Sequence, residues 1–187
     1  MKIHYTKVKK LLKKVEQELQ GVLSKVSETK TKKFVEMLTK ANVVFLTGQG
    51  RSGLIAEAFA MRLMQLGLKS YVVGLPTTPA ISKNNLLVAI SGTGKTRLTL
   101  DIIKEAKKAK AKICLITANK NSEAAKQSNL VIEIKAKTKL DHKKSIEPLG
   151  SLFEQAAFLY LDSIVILLMQ QLGIGEKTLK KKHASLE

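Results

Sequence analysis

Alternating strand and helix patterns predict an α/β fold for this chain: a single doubly wound, five-stranded parallel sheet with helices on both faces. Three observations carry the expectation. Five short runs rich in β-branched and aliphatic residues, 43–47, 70–74, 86–90, 112–117 and 130–134, are separated by helical patterns. The first and third runs end in glycine-containing loops, and sheets of this kind hold their ligands at strand ends. With 187 residues, 44% of them hydrophobic, the chain is long enough for one domain with a real core.

The N-terminal part, 1–40, reads as two helices. Val8, Leu11, Leu12, Val15, Leu19, Val22, Leu23 and Val26 recur at helical spacing, giving an amphipathic helix with a lysine-rich outer face over 1–27. This helix lies outside the α/β repeat, so its apolar stripe is expected to lie on the core or on another subunit. A second helix, about 30–39, leads into the first strand.

The α/β core spans 42–135. Its first strand feeds Gly48-Gln49-Gly50-Arg51-Ser52-Gly53, and an apolar series from Leu54 to Met64 then describes a helix buried on most of its circumference. That order brings free backbone N–H groups and a positive helix end to one point, which suits an anion, phosphate above all. The loop also satisfies G-x-G-x-x-G. A dinucleotide site would need an acid at the end of the next strand to hold the ribose, and Gly74-Leu75-Pro76 stands there instead. Arg51 at the loop tip suits a terminal phosphate better than a pyrophosphate. A purely structural tight turn is the remaining alternative.

The third strand runs into Ser91-Gly92-Thr93-Gly94-Lys95-Thr96-Arg97. Gly94-Lys95-Thr96 matches the end of a P-loop, yet the motif's first glycine would fall at Ala89, inside the strand. Thr117 and Lys135 stand where a magnesium-binding acid would follow a later strand, so nucleotide hydrolysis is not expected. What remains is three hydroxyls, Ser91, Thr93 and Thr96, with backbone amides at a helix start. The plain alternative is a helix cap with turn glycines, and one hydroxyl is expected to cap. Two hydroxyl-rich anion sites at neighbouring strand ends point to a shared ligand.

Residues 136–149 are polar, without periodicity, and read as a long loop near the strand ends that could close over a ligand. From 150 the chain turns strongly apolar through Leu172. Glu154 and Asp162 interrupt it, so no uninterrupted apolar run reaches the ~20 residues of a membrane helix. An all-round apolar helix is normally buried, here in part at a subunit interface. A carboxylate in its first turn, Glu154, is either favoured by the helix dipole or present for a task. The tail, 176–187, reads as a short charged helix carrying His183.

Composition narrows the classes further. The formal charge of +18 suggests nucleic acid, but only three of the 33 basic residues are arginine (Arg51, Arg62 and Arg97), and no aromatic residues interleave with the lysines to stack bases. A solvated lysine surface is expected, with no nucleic-acid partner and no membrane. Arg51 and Arg97 fall on the glycine loops, where a planar fork suits phosphate. His4, His142 and His183 are far apart and lack partners at ligand spacing, so no metal site is expected. No cofactor is implied. The single Cys114 sits in an apolar run, in keeping with a reduced, buried thiol and a cytoplasmic setting, and the basic N-terminus lacks a signal-peptide core.

Taken together, GQGRSGLIAEAFAMRLMQLG, YVVGLPTTPAI, SGTGKT, PLGSLFEQAAFLYLD and KKHASLE resemble the 6-phospho-3-hexuloisomerase branch of the SIS (sugar isomerase) family. The GRSG loop and the tail together are specific, whereas the SGTG loop alone indicates only sugar-phosphate binding. The resemblance implies a flavodoxin-like fold and interconversion of D-arabino-hex-3-ulose 6-phosphate and D-fructose 6-phosphate through an enediolate. On that reading Glu154 is the base, set among apolar neighbours that would tune it for proton abstraction. Ser91, Gly92, Thr93, Gly94, Lys95 and Thr96 hold the phosphate. Gly50, Arg51 and Ser52 bind phosphate or a sugar oxygen, and His183 is an acid–base partner in its own or a neighbouring subunit's site. A homo-oligomer, most simply a tetramer of paired dimers, is expected. The family commonly has an acid where this chain has Lys95, which more simply adds positive charge, and Lys182 and Ser185 stand where it tends to show arginine and asparagine. Another sugar-phosphate isomerase on the same scaffold is one alternative. A non-catalytic sugar-phosphate sensor is another, although too few residues precede the sheet for a DNA-binding domain.

Overall fold

The structure, a computed structural model, describes residues 7–140, 144–183 and 185. Five strands, β1 (Val44–Gly48), β2 (Ser70–Val72), β3 (Leu86–Ile90), β4 (Lys112–Thr117) and β5 (Leu130–Glu133), form one sheet in the order β2-β1-β3-β4-β5. Every pairing is parallel. The chain steps outward from β1 to β2 and then back across to β3. Strand order therefore reverses between β1 and β3, the position at which such sheets open a crevice for ligands.

Seven helices accompany the strands among the described residues: α1 (Val8–Leu23), α2 (Glu28–Lys40), α3 (Arg51–Gln65), α4 (Arg97–Lys108), α5 (Glu123–Lys126), α6 (Ser151–Leu172) and α7 (Glu176–Lys181). The period-two alternation of the strands sends Leu86, Val88 and Ile90 to one face of the sheet and Leu87 and Ala89 to the other. The first face packs on α2, α3 and α6 through Phe34, Leu38, Phe59, Leu63, Phe153 and Ile164. The second packs on α4 and α5 through Leu100, Ile103 and Ala125. Each of the leucine, isoleucine and phenylalanine side chains among these contributes about 1.5–3 kcal/mol when fully buried. Cys114 lies within the first core, and burial pushes its thiol well above the ordinary range, so it packs as a small apolar group.

Several boundaries differ from the sequence expectation, for local reasons. β1 runs to Gly48 because its ladder with β3 continues to Ile90. β2 stops at Val72 because it is an edge strand and the chain turns away at Gly74, whose φ is +102°. The short α5 falls between β4 and β5, opened by Ser122, whose hydroxyl accepts from the Ala125 N–H.

The N-terminal helix has one anchored half. Leu19, Val22 and Leu23 pack against the first core, while Val8, Leu11 and Leu12 are exposed. By length and mean hydropathy α6 does qualify as a membrane-spanning helix, in spite of its two acids. In this fold it packs on the sheet, with Phe153, Ala157, Leu161 and Leu168 all buried. The segment between β5 and α6 has no helix or strand among its described residues, yet Ala136, Thr138 and Glu147 within it are buried. Residues 1–6 of the N-terminal stripe, His142, and Ala184, Leu186 and Glu187 of the tail lie outside the described residues.

Candidate active site

The loop after β1 is built on close backbone approach. A Cβ at Gly48 would stand 2.4 Å from the Ser52 carbonyl oxygen, and one at Gly53 would stand 3.1 Å from the Gly48 carbonyl oxygen. Gly50 has φ +59° and ends the loop as the residue preceding α3. This packing turns the chain from strand to helix in two residues and puts Arg51 in the first turn of α3. Ser52 is buried behind it.

The loop after β3 is built on hydroxyls and braced from the next strand. Ser91 is buried; its Oγ accepts from the Gly94 N–H at 3.2 Å and lies 3.4 Å from Thr96 Oγ1. Thr93 Oγ1 accepts from the Lys95 N–H at 3.3 Å. Thr117, at the end of β4, donates its hydroxyl to the Gly92 carbonyl at 3.1 Å. Gly94, at φ +62°, leans on the Ser122 side chain so closely that a Cβ would stand 2.1 Å from Ser122 Oγ. Thr117 and Ser122 are supports that sequence reasoning missed. The signal available for Ser122 was a serine immediately before the short run Glu123-Ala124-Ala125-Lys126, the cap position of a helix.

Both loops converge on the first turn of α6. Arg51 Nε donates to Glu154 Oε2 at 2.5 Å, joining α3 to α6 across 103 residues of chain. Gly92 faces the Phe153 ring, whose Cδ1 would lie 2.9 Å from a Cβ there. Glu154 Oε1 lies beside Gly150, 3.4 Å from where its Cβ would be. The N-terminal ends of α3, α4 and α6 therefore meet at the carboxyl end of the sheet.

None of these three helices has a side-chain cap, in contrast to α2 and α5, which Ser27 and Ser122 cap. The expectation that a loop hydroxyl caps α4 is thus corrected: Thr96 occupies the cap position, but its oxygen faces Ser91 instead of the helix N–H groups. The first-turn amides of α4 stay available to an anionic group, whereas the Gly53 N–H of α3 and the Ser151 N–H of α6 donate to the Gly50 and Pro148 carbonyls.

Glu154 also differs from expectation. Its side chain is 20% exposed and ion-paired, where the sequence suggested a carboxylate isolated among apolar neighbours. The cause is topological: the N-terminal turns of α3 and α6 pack side by side and place the guanidinium against the carboxylate. Beside the pair, a cavity of about 250 Å³ is lined by Arg51, Leu54, Ile55, Glu154, Gln155 and Phe158. Larger hollows of about 570 Å³ along α4 and about 600 Å³ at the amino ends of the strands include none of the loop residues.

Of the residues singled out from sequence, Gly50, Arg51, Ser52, Glu154 and the loop from Ser91 to Thr96 come together. Lys95 is exposed at the tip of its loop. His183 is not with them. The adjacent Lys182 reaches Gly67, just past the end of α3, where its ammonium would stand 2.4 Å from a Cβ. The fifteen residues of α3, roughly 22 Å of helix, separate that end from Arg51. Within one chain, His183 and Glu154 lie at opposite ends of the sheet.

Comparison with known proteins agrees with this fold. The chain is 32% identical over 173 residues to the 3-hexulose-6-phosphate isomerase of Bacillus subtilis (strain 168), covering 91% of this chain and 94% of that one. It is 36% identical over 175 residues to the 3-hexulose-6-phosphate isomerase of Mycobacterium gastri, covering 92% and 88%. A crystal structure of a Methanococcus jannaschii protein, which infers a molecular function of 3-hexulose-6-phosphate isomerase, superposes with a TM-score of 0.86 at 33% identity over 95% of this chain and 99% of that one. The SIS domain family model matches residues 37–158, from the end of α2 through both glycine loops to the first turns of α6, and the chain belongs to that family.

Proposed function

We propose that the protein is a sugar-phosphate isomerase interconverting D-arabino-hex-3-ulose 6-phosphate and D-fructose 6-phosphate. The observation that carries this reading is the meeting of Arg51, the hydroxyl loop and Glu154 at the strand-order switch. The relatives named 3-hexulose-6-phosphate isomerase support the substrate. Ser91, Thr93 and Thr96, with the uncapped amides of α4, hold the phosphate, and the glycines at 92 and 94 seat that loop against Phe153 and Ser122. Lys95 adds positive charge at the rim. Gly50, Arg51 and Ser52 take a phosphate or sugar oxygen.

The reaction moves one proton from C2 to C3 and one from O2 to O3. Glu154 removes the C2 proton of the 3-keto sugar, electrons flow towards the C3 carbonyl, and a 2,3-enediolate forms. Donors stabilise the oxyanion, and the same carboxyl returns the proton at C3. Arg51 is placed both to orient the Glu154 carboxyl and to meet the developing charge. The 3-keto sugar enters open-chain, because the O6 needed for a five-membered ring is esterified.

His183 takes part only from a second subunit on this reading, since its own chain holds it at the far end of α3. A homo-oligomer, most simply a tetramer of paired dimers, supplies that subunit. Exposed apolar side chains on α3 and α6, including Leu54, Met61, Phe158 and Ile166, support such an interface. The test is an assay of the purified protein with hex-3-ulose 6-phosphate in deuterated solvent. Turnover with exchange at C2 is expected. No turnover, with no competition by inorganic phosphate for bound sugar phosphate, would overturn the reading.

A further inference from the structure

Glu147 is a buried carboxyl that the mechanism above leaves unused. It stands one residue before Pro148 at the end of the 136–149 segment and is only 7% exposed. Its Oε2 accepts from Gln155 Nε2, next to Glu154 in the first turns of α6 and in the wall of the cavity at the Arg51–Glu154 pair. Its Oε1 is fully buried and has no hydrogen-bond partner among the described residues. The backbone around it is held from two sides. Lys137 Nζ donates to the Glu147 carbonyl at 3.2 Å, and the Glu147 N–H donates to Ser145 Oγ at 3.0 Å. Ser145 Oγ in turn donates to Glu18 Oε2 of α1 at 2.5 Å, and the Ile146 N–H donates to Glu18 Oε1 at 3.0 Å. A chain of contacts thus runs from α1 through this segment to the α6 turn that carries Glu154.

We propose that Glu147 is a positioning residue for the isomerase site, holding Gln155 and the first turn of α6 and thereby deciding whether Arg51 serves Glu154 alone. The proposal rests on the reading of Arg51 and Glu154 as site residues. A buried carboxyl with one bare oxygen is costly to ionise and far cheaper to keep protonated. Burial first, and then the charge of Glu18, raise the Glu147 carboxyl above its ordinary range. The Gln155 hydrogen bond and the Arg51 charge act in the opposite direction, and Glu154 adds to the rise. The groups that face it are therefore Glu18 on α1, Arg51 on α3, and Glu154 and Gln155 on α6, with Lys137 on its backbone carbonyl. Neutral, Glu147 leaves the guanidinium to Glu154. Ionised, it becomes a second carboxylate drawing on the same guanidinium, and the Arg51–Glu154 bond loosens.

Two measurements test this on the full-length protein. Carboxyl ¹³C NMR of glutamate-labelled protein should give Glu147 a midpoint above its ordinary range, shifted down in Glu154→Gln and up in Arg51→Ala. kcat and KM against pH should show a loss of kcat through that midpoint in the wild type. Glu147→Gln, which stays neutral and can still bond Gln155, should remove that basic limb while KM stays within about two-fold, because no substrate contact is lost. A Glu147 midpoint indifferent to both neighbours, or a basic limb unchanged in Glu147→Gln, overturns the proposal. A wild type inactive on hex-3-ulose 6-phosphate overturns the substrate assignment only, and the NMR titrations then decide the role of Glu147 by themselves.

Discussion

The two glycine loops sit one strand apart and end in helices of similar design, yet they solve the same problem with opposite means. The β1–α3 loop is backbone against backbone: Gly48 and Ser52 touch so closely that no side chain fits between them, and its functional group is one charge, Arg51, tied to α6. The β3–α4 loop is side chain against backbone: Ser91 and Thr93 fold their hydroxyls onto loop amides, while Thr117 and Ser122 brace it from outside. One loop places a cation; the other shapes a cradle of oxygens and N–H groups. Binding and chemistry are thereby separable. On the proposed function, the first loop orients Glu154 and the second grips the phosphate.

The largest expected effect tests that division at its chemical end. Glu154→Gln should lower kcat about 10²–10⁴-fold with substrate affinity retained, as expected for loss of a positioned base. Exchange of the C2 proton at the wild-type rate in that variant would move the base elsewhere. Next, Arg51→Ala should lower kcat and raise KM together. Ser91→Ala combined with Thr93→Ala should raise KM alone, by the ~1.5–3 kcal/mol of charge-assisted hydrogen bonds to phosphate. If steady-state kinetics show both variants with the same pattern, the loops do not divide the work.

A smaller effect is expected where the loops share a neighbour. Gly92→Ala would press a methyl on the Phe153 ring, and overpacking of this kind costs about 1–3 kcal/mol. For a chain of this size that is a fall in Tm of roughly 2–4 °C per kcal/mol, readable by calorimetry. The smallest effect is pH-linked. The Glu147 carboxyl binds its proton more tightly folded than unfolded. Its contribution to stability is complete below the ordinary carboxylate range and is lost as pH rises through its own higher midpoint. The stability difference between Glu147→Gln and the wild type should therefore grow in favour of the variant with rising pH, as denaturant titrations can show. A difference that shrinks with pH would contradict the burial argument.

Short-range chemistry explains what the sequence disclosed. The glycines announced both turns because φ and close approach leave few alternatives to glycine, and the strands were legible because both faces of the sheet are apolar. The Arg51–Glu154 pair was not legible as a pair: the residues were each visible, but 103 positions separate them and only the packing of α3 on α6 unites them. Glu147 was hidden for a different reason. It lies in a polar segment without periodicity, which reads as solvated loop, whereas Glu18 and Gln155 hold it inward from two distant helices. His183 was conspicuous in sequence, yet its placement depends on how α7 folds back along α3.

The contact between Gly48 and Ser52 has a consequence for how such a protein diversifies. Every single-nucleotide change of a glycine codon that leaves a sense codon other than glycine introduces a Cβ, and here the Ser52 carbonyl already fills that place. Position 48 is therefore a fixed point in sequence space, and with it the path of the chain into α3. Lineages that adopt a new phosphorylated substrate have the hydroxyl loop, its braces at 117 and 122 and the wall of α6 in which to vary, whereas position 48 has no neighbouring residue type into which it can drift.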